Sequence, residues 1–190
     1  LDRIARSSSV DRLAGASAHE PLRVVDLGTG SGAIGLSIAS ERPGTSVTLT
    51  DRSTDALAVA RANLAGIGSA AIGVSVVEGS WFEPLDPAWA GSIALIASNP
   101  PYVAPGDDLD ASVLGWEPAA ALFADQDGTA DLAVLADSAP RWLSPGGALV
   151  VEMDPRQVEW FGDQCHWADS IDTVRDLAGL NRIVVARLGS

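Results

Sequence analysis

Asn99-Pro100-Pro101-Tyr102 is the stretch whose residue types could act on a substrate. Two successive prolines fix φ and remove two N–H donors, so the carbonyls of this turn stay free as acceptors, with a side-chain amide before them and a phenol after. A rigid cluster of acceptors suits a planar NH2 group. The nitrogen of an amide or aryl amine is a poor nucleophile because its lone pair is delocalised. Accepting both its hydrogens, on the Asn99 side-chain oxygen and the Pro100 carbonyl, would orient that nitrogen and raise its electron density toward an electrophile. No general base is needed before the transfer. The plain alternative is a proline turn that closes a strand and binds nothing.

The second such stretch is Val24-Val25-Asp26-Leu27-Gly28-Thr29-Gly30-Ser31-Gly32. Glycines at alternate positions let backbone curl close to a ligand, and the helix that should follow aims free N–H groups at the same place. A nucleotide-like ligand is expected there. Gly30 to Gly35 matches the dinucleotide pattern G-x-G-x-x-G, with Asp51 at a suitable distance. Asp26, just ahead of the glycines, instead resembles the acid of motif I in S-adenosylmethionine-dependent methyltransferases. A carboxylate there can accept from the methionyl ammonium group, whereas it would repel a pyrophosphate. The electrophile facing Asn99 to Tyr102 is then a sulfonium methyl.

These residues need a sheet to hold them. Val24 to Leu27 should end a first strand over about 22–27, followed by a helix over 33–41 that Pro43-Gly44 stops. A second strand, 46–50, delivers Asp51, where one carboxylate could accept from both ribose hydroxyls; the same acid could equally serve the N-terminus of the next helix, about 56–65. A third strand, 73–78, leads to Trp81, an indole that could cover an adenine face or simply cap the core. The fourth, 92–97, is apolar without alternation, hence buried on both faces, and runs into Asn99. Residues 103–121 read as a loop long enough to cover a substrate. A helix over 130–142, a fifth strand over 148–153, a short helix near 157–162 and two closing strands, 170–175 and 181–188, complete the pattern; the short link between the last two fits an antiparallel hairpin. Residues 1–16 have interrupted helical spacing, and 17–21 read as linker.

Composition narrows the function. The 190 residues, 47% hydrophobic, suit one α/β domain. No run of about 18 apolar residues occurs and the N-terminus lacks the apolar core of a signal peptide, so a soluble, cytoplasmic protein without membrane partners is expected. One cysteine, Cys165, and two histidines, His19 and His166, allow neither an internal disulfide nor a zinc cluster, and no metal is expected. Cys165-His166 reads as an incidental pair. Twelve basic residues against 25 acidic give a net charge of −13, which disfavours a nucleic acid partner. Arg3, Arg6 and Arg12 read as a solvated helix face.

Taken together, the motifs resemble the catalytic domain of the HemK/PrmC family of protein-(glutamine-N5) methyltransferases, which modify the Gly-Gly-Gln glutamine of class-1 peptide release factors. The likeness runs through residues 25–34, Trp81-Phe82-Glu83-Pro84-Leu85, Ser98 to Val103, Glu117-Pro118, Ala121-Leu122-Phe123, Asp127-Gly128, Ala139-Pro140-Arg141, Pro145-Gly146-Gly147 and Asp176-Leu177-Ala178-Gly179. Asn-Pro-Pro-Tyr alone is shared with DNA adenine and rRNA guanine methyltransferases; the Glu-Pro, Asp-Gly and Asp-Leu-Ala-Gly segments resemble this family in particular. The resemblance implies S-adenosylmethionine as cofactor, held by Asp26, Gly28, Thr29, Gly30, Ser31, Gly32, Asp51, Trp81 and Asn99. It implies a release factor as partner, its glutamine amide held by Asn99, Pro100, Pro101 and Tyr102, with Asn99, Pro100 and Tyr102 as the catalytic group. It also implies a class I methyltransferase fold: an α/β, Rossmann-like, mostly parallel seven-stranded sheet with helices on both faces and an antiparallel last strand.

Three departures stand out. Ser80 occupies the place of a usual Asp near the adenine, and Glu152-Met153-Asp154 lacks the family's glycine after the acid. Against the family's pattern, residues 1–21 are expected to be a helix and linker remnant in place of its N-terminal helical domain, ahead of a methyltransferase domain at 22–190. Three other readings remain open at this stage. They are an exocyclic-amine methyltransferase acting on adenine or guanine, a nicotinamide-dependent oxidoreductase, and a catalytically idle domain that binds S-adenosylmethionine.

Overall fold

The computed structural model describes residues 21–102 and 128–190. The expected N-terminal helix and linker, the loop over 103–121 and the motif residues Glu117, Pro118 and Ala121 to Phe123 lie outside the described residues. So does Asp127.

Strands β1 (Arg23–Leu27), β2 (Ser46–Asp51), β3 (Val74–Glu78), β4 (Ile93–Ser98), β5 (Leu143–Glu152), β6 (Ser170–Arg175) and β7 (Asn181–Arg187) form one sheet in the order β3-β2-β1-β4-β5-β7-β6. The pairs β1–β2, β1–β4, β2–β3 and β4–β5 are parallel, whereas β7 runs antiparallel to both neighbours. This is the mostly parallel sheet with a reversed last strand that the sequence predicts. Helices α1 (Ala33–Glu41), α2 (Thr54–Gly66), α3 (Ala130–Trp142) and α4 (Val158–Gln164) connect the strands. The chain order reverses direction between β1 and β4, so ligands are expected outside their carboxyl ends.

Consecutive residues of a strand point to opposite faces, and the two valines of β1 show it. Val25 joins a core with Leu27, Ile96, Leu149, Val151 and Val184 under α3 and α4, while Val24 joins Leu36, Ala39, Val47, Leu49 and Ala60 under α1 and α2. In α3 the buried side chains are Leu132, Leu135, Ala136, Ala139 and Trp142, a helical stripe against the sheet. Pro140 lies inside this helix and has no N–H to offer the carbonyl of Ala136. The indole of Trp167 donates to that carbonyl instead, at 2.8 Å.

Element boundaries shift by a residue or two from the expected ones, with one larger difference. The strand expected over 148–153 begins at Leu143, which pairs with Ile93; the register then shifts before Ala148 pairs with Leu95. Ser144 to Gly147 therefore turn within the strand pairing and do not precede it. The short helix near 157 begins as a single turn of 3-10 helix, Pro155–Gln157, and continues as α4. Among the described residues no helix is long and apolar enough to cross a membrane and no group of side chains could hold a metal ion.

Candidate active site

The carboxyl ends of β1, β2, β3 and β4 bring the expected residues to one edge of the sheet. Leu27 and Ser98 are register partners, so Gly28 and Asn99 leave adjacent strands at the same level. The Ser98 hydroxyl donates to the Leu27 carbonyl at 2.8 Å and ties the two strand ends together.

The turn after β1 is left-handed at Gly28 (φ 64°), Gly30 (φ 55°) and Gly32 (φ 83°). Asp26 lies beneath it, fully buried. Its Oδ2 accepts from the Thr29 hydroxyl at 2.6 Å and from the Gly35 amide at 2.9 Å, while its Oδ1 is buried without a hydrogen-bond partner. Gly35 permits this approach, since a Cβ there would run into Leu49 and the Asp26 side chain. Burial pushes the Asp26 carboxyl up to about 6 against the two hydrogen bonds, and the neighbouring Asp51 adds to the rise. Asp26 therefore braces the turn from below, a role that its position in the sequence does not reveal. Its unsatisfied Oδ1 is a spare acceptor.

Asp51 grips the same turn from β2. Its Oδ2 accepts from the Gly30 amide at 2.9 Å and its Oδ1 from the Ser53 amide at 2.8 Å. Ser53 caps α2 by accepting from the Ala56 amide at 3.2 Å. Asp51 thus stands at a helix start as well as at a strand tip. Each of its oxygens keeps a lone pair for a further donor. Ser31 is exposed, and its carbonyl accepts from the Asn63 side chain at 2.9 Å.

Trp81 is the residue with positive φ (46°) that is not glycine among the described residues. An indole in left-handed backbone is a rare conformation and usually marks a constrained site. Its ring atoms Cζ3 and Cη2 lie 3.4 and 3.6 Å from where a Gly28 Cβ would be. The ring is half-buried and also packs on the core, so it forms one wall of the glycine turn and a cap at once. Phe82 holds this corner down by stacking on Trp142, with centroids 6.1 Å apart.

Beyond the end of β4, Asn99 is exposed and Pro100 is buried, while Pro101 and Tyr102 are partly covered. The Tyr102 carbonyl accepts from the Gln157 side chain at 3.1 Å. Burial raises the Tyr102 phenol above its ordinary 10.0, the nearby Glu152 carboxylate adds to the rise, and Arg182, which hydrogen-bonds the phenol, opposes it. Arg182 is in turn held by Asp176 at 2.9 Å. A small pocket is lined by Ile34, Ala97, Ser98, Val150, Glu152 and Ile183. Spacing alone could not reveal Gln157, Arg182 or Glu152. Cys165 and His166 take no part: the thiol is buried and pushed up to about 12, and the imidazole is exposed.

Residues 13–115 match the family model described as methyltransferase small domain. The chain is 42% identical over 171 residues to the release factor glutamine methyltransferase of Xylella fastidiosa (strain 9a5c), covering 87% of this chain and 59% of that protein. It is 44% identical over 164 residues to the protein of that name from Bordetella pertussis, covering 85% and 59%. The chain thus spans about three-fifths of the length of these relatives. Among solved structures, a methyltransferase from Pyrococcus furiosus superposes with a TM-score of 0.64 at 16% identity, over 97% of this chain and 84% of that one. That last likeness concerns the fold alone.

Proposed function

The chain belongs to the methyltransferase small domain family and resembles the release factor glutamine methyltransferases, and from that premise we propose that it methylates a glutamine side-chain amide with S-adenosylmethionine as donor. The substrate is a protein carrying Gly-Gly-Gln, a class-1 release factor. One observation carries the reading: the glycine turn and the Asn99 turn leave adjacent parallel strands in register, so a donor on one and an amide on the other face each other.

The residues present fit the cofactor. Asp26 Oδ1 is a buried acceptor lacking a donor, which suits an ammonium group reaching under the turn. The left-handed backbone at Gly28 and Gly30 leaves a cradle with no Cβ, and the Trp81 indole walls it on one side. Asp51, at the tip of β2, can accept from ribose hydroxyls. Ser31, Thr29 and Gly32 shape the loop between them. When bound, the cofactor supplies a methyl group on a sulfonium sulfur.

Asn99 and Pro100 act on the acceptor. The Asn99 side-chain oxygen and the Pro100 carbonyl take the two amide hydrogens, which fixes the nitrogen and directs its lone pair at the methyl. Pro101 stiffens the turn and Tyr102 walls it. As the N–C bond forms the S–C bond breaks, and the nitrogen releases one proton to water. Tyr102, held neutral by burial, is not the base.

The acidic surface implied by a net charge of −13 favours a protein substrate over a nucleic acid one. Mass spectrometry of a release factor incubated with this chain and cofactor tests the reading. One added methyl on the Gly-Gly-Gln glutamine is expected; cofactor binding with no methyl on that residue would overturn it.

A further inference from the structure

Gln157 has a part in no step described so far, yet its side chain is buried and every polar atom of its amide is used. Nε2 donates to the Tyr102 carbonyl and to the Gly128 carbonyl, each at 3.1 Å, and Oε1 accepts from the Asp154 amide at 3.2 Å. The first of these partners ends the Asn99–Tyr102 turn, and the second opens the segment that leads into α3. A single amide thereby joins two pieces of chain far apart in sequence to the corner after β5.

Gly128 shows how tight the junction is. Its φ is +81°, and a Cβ there would strike the Tyr102 carbonyl and lie 2.8 Å from Gln157 Nε2. The capping box in which Asp154 and Gln157 bind each other's backbone fixes the glutamine locally before it makes either long-range bond. An amide NH2 is the group that two converging carbonyls require, because a carboxylate would repel both and a shorter or apolar side chain would leave both unpaired.

We propose that Gln157 is a positioning residue for the methyl-acceptor site, clamping the Tyr102 and Gly128 carbonyls so that Asn99 and Pro100 keep their acceptors aimed at the substrate amide. It touches neither substrate nor cofactor. This rests on the glutamine-methylation reading above. Displacing the acceptors by a fraction of an ångström slows transfer while the glycine turn, braced separately by Asp26 and Asp51, continues to bind cofactor.

Two variants break the clamp from opposite sides. Gln157→Glu keeps the length and the acceptor but loses both donors; Gly128→Ala pushes on the same junction through the backbone. The chain has a single tyrosine, so 3-fluorotyrosine incorporation gives one 19F resonance that reports on Tyr102. Both variants should lower kcat toward a Gly-Gly-Gln peptide by up to about a hundredfold, with cofactor Kd unchanged and the 19F resonance displaced, and the double variant should be no slower than the slower single one. Wild-type turnover in Gln157→Glu, an unmoved resonance, or equal losses in kcat and cofactor affinity would overturn the proposal. If Gln157→Glu fails to fold, Gln157→Met, of similar length and uncharged, carries the same expectations. Should the wild-type chain methylate no glutamine, the proposed function falls, and the 19F comparison decides the clamp by itself: a displaced resonance upholds it and an unmoved one refutes it.

Discussion

Ser98 donates its hydroxyl to the carbonyl of Leu27 at 2.8 Å, and the two residues are register partners on adjacent parallel strands. This bond lies directly beneath the place where the glycine turn and the Asn99 turn part. Ser98→Ala should lower stability by about 1 kcal/mol, or about 2–4 °C in Tm. It should also slow turnover, because the strand ends lose their cross-tie. Differential scanning calorimetry and kinetics on the same preparation check both.

Asp26 yields a prediction with a definite sign. Its carboxyl rises from 3.8 to about 6 on folding, so between those values the folded chain holds a proton that the unfolded chain has released. Stability from this group is therefore full below about pH 4 and is lost as pH rises through about 6. Asp26→Asn, which keeps an acceptor for Thr29 and Gly35 but sets an NH2 where Oδ1 has no partner, should change stability more favourably at pH 7–8 than near pH 4, by up to about 3 kcal/mol. Cofactor affinity should move the other way: wild-type binding weakens as pH falls below about 6, and the Asn variant binds poorly throughout. Calorimetric titration across pH reads both trends.

Trp81 should matter to cofactor binding and little to turnover once cofactor is saturating. Trp81→Ala removes the wall beside Gly28, so Kd should rise roughly tenfold; Ala keeps the strain of the positive φ and loses the indole's packing on the core, so Tm should fall as well. Gly28→Ala should weaken binding too, by strain at φ 64° and contact with the indole. Fluorescence quenching in the wild type and isothermal titration in the variants follow these effects.

The hairpin contact on Tyr102 can be read optically, because the only tyrosine of the chain is the one involved. Arg182 lowers the phenol's pKa against burial and Glu152, so Arg182→Gln should move the phenolate absorbance transition to higher pH. Asp176→Asn, which loosens Arg182, should act in the same direction. A transition that stays put, or moves down, would refute the contact.

Much of the fold was legible because its signals are local. Alternate glycines after Val24 to Leu27, the Pro43-Gly44 stop and the unbroken apolar run of β4 each mark an element from its own residues, and α1, α3 and β6 have the expected ends. The placement of the candidate site was legible where a residue ends or follows a strand, as with Asp51 and Asn99. What spacing could not give was the orientation of Asp26, whose carboxylate turns under the loop, or the backbone of Trp81, set by packing on Gly28 and the core. Gln157 was hidden for a different reason: its bonds to Tyr102 and Gly128 are long-range, and its one local signal is the Asp154–Gln157 capping box. The start of β5 differs from the expected one because Ser144-Pro145-Gly146-Gly147 reads as a turn, whereas the sheet absorbs it as a register shift.

The most direct measurement compares cofactor Kd with kcat in Asn99→Ala. If the glycine turn holds the donor and Asn99 holds the amide, Kd should stay close to wild type while kcat falls by about two to three orders of magnitude. A proportionate loss of both, or turnover that survives without the Asn99 side chain, would contradict this division of labour between the two strand ends.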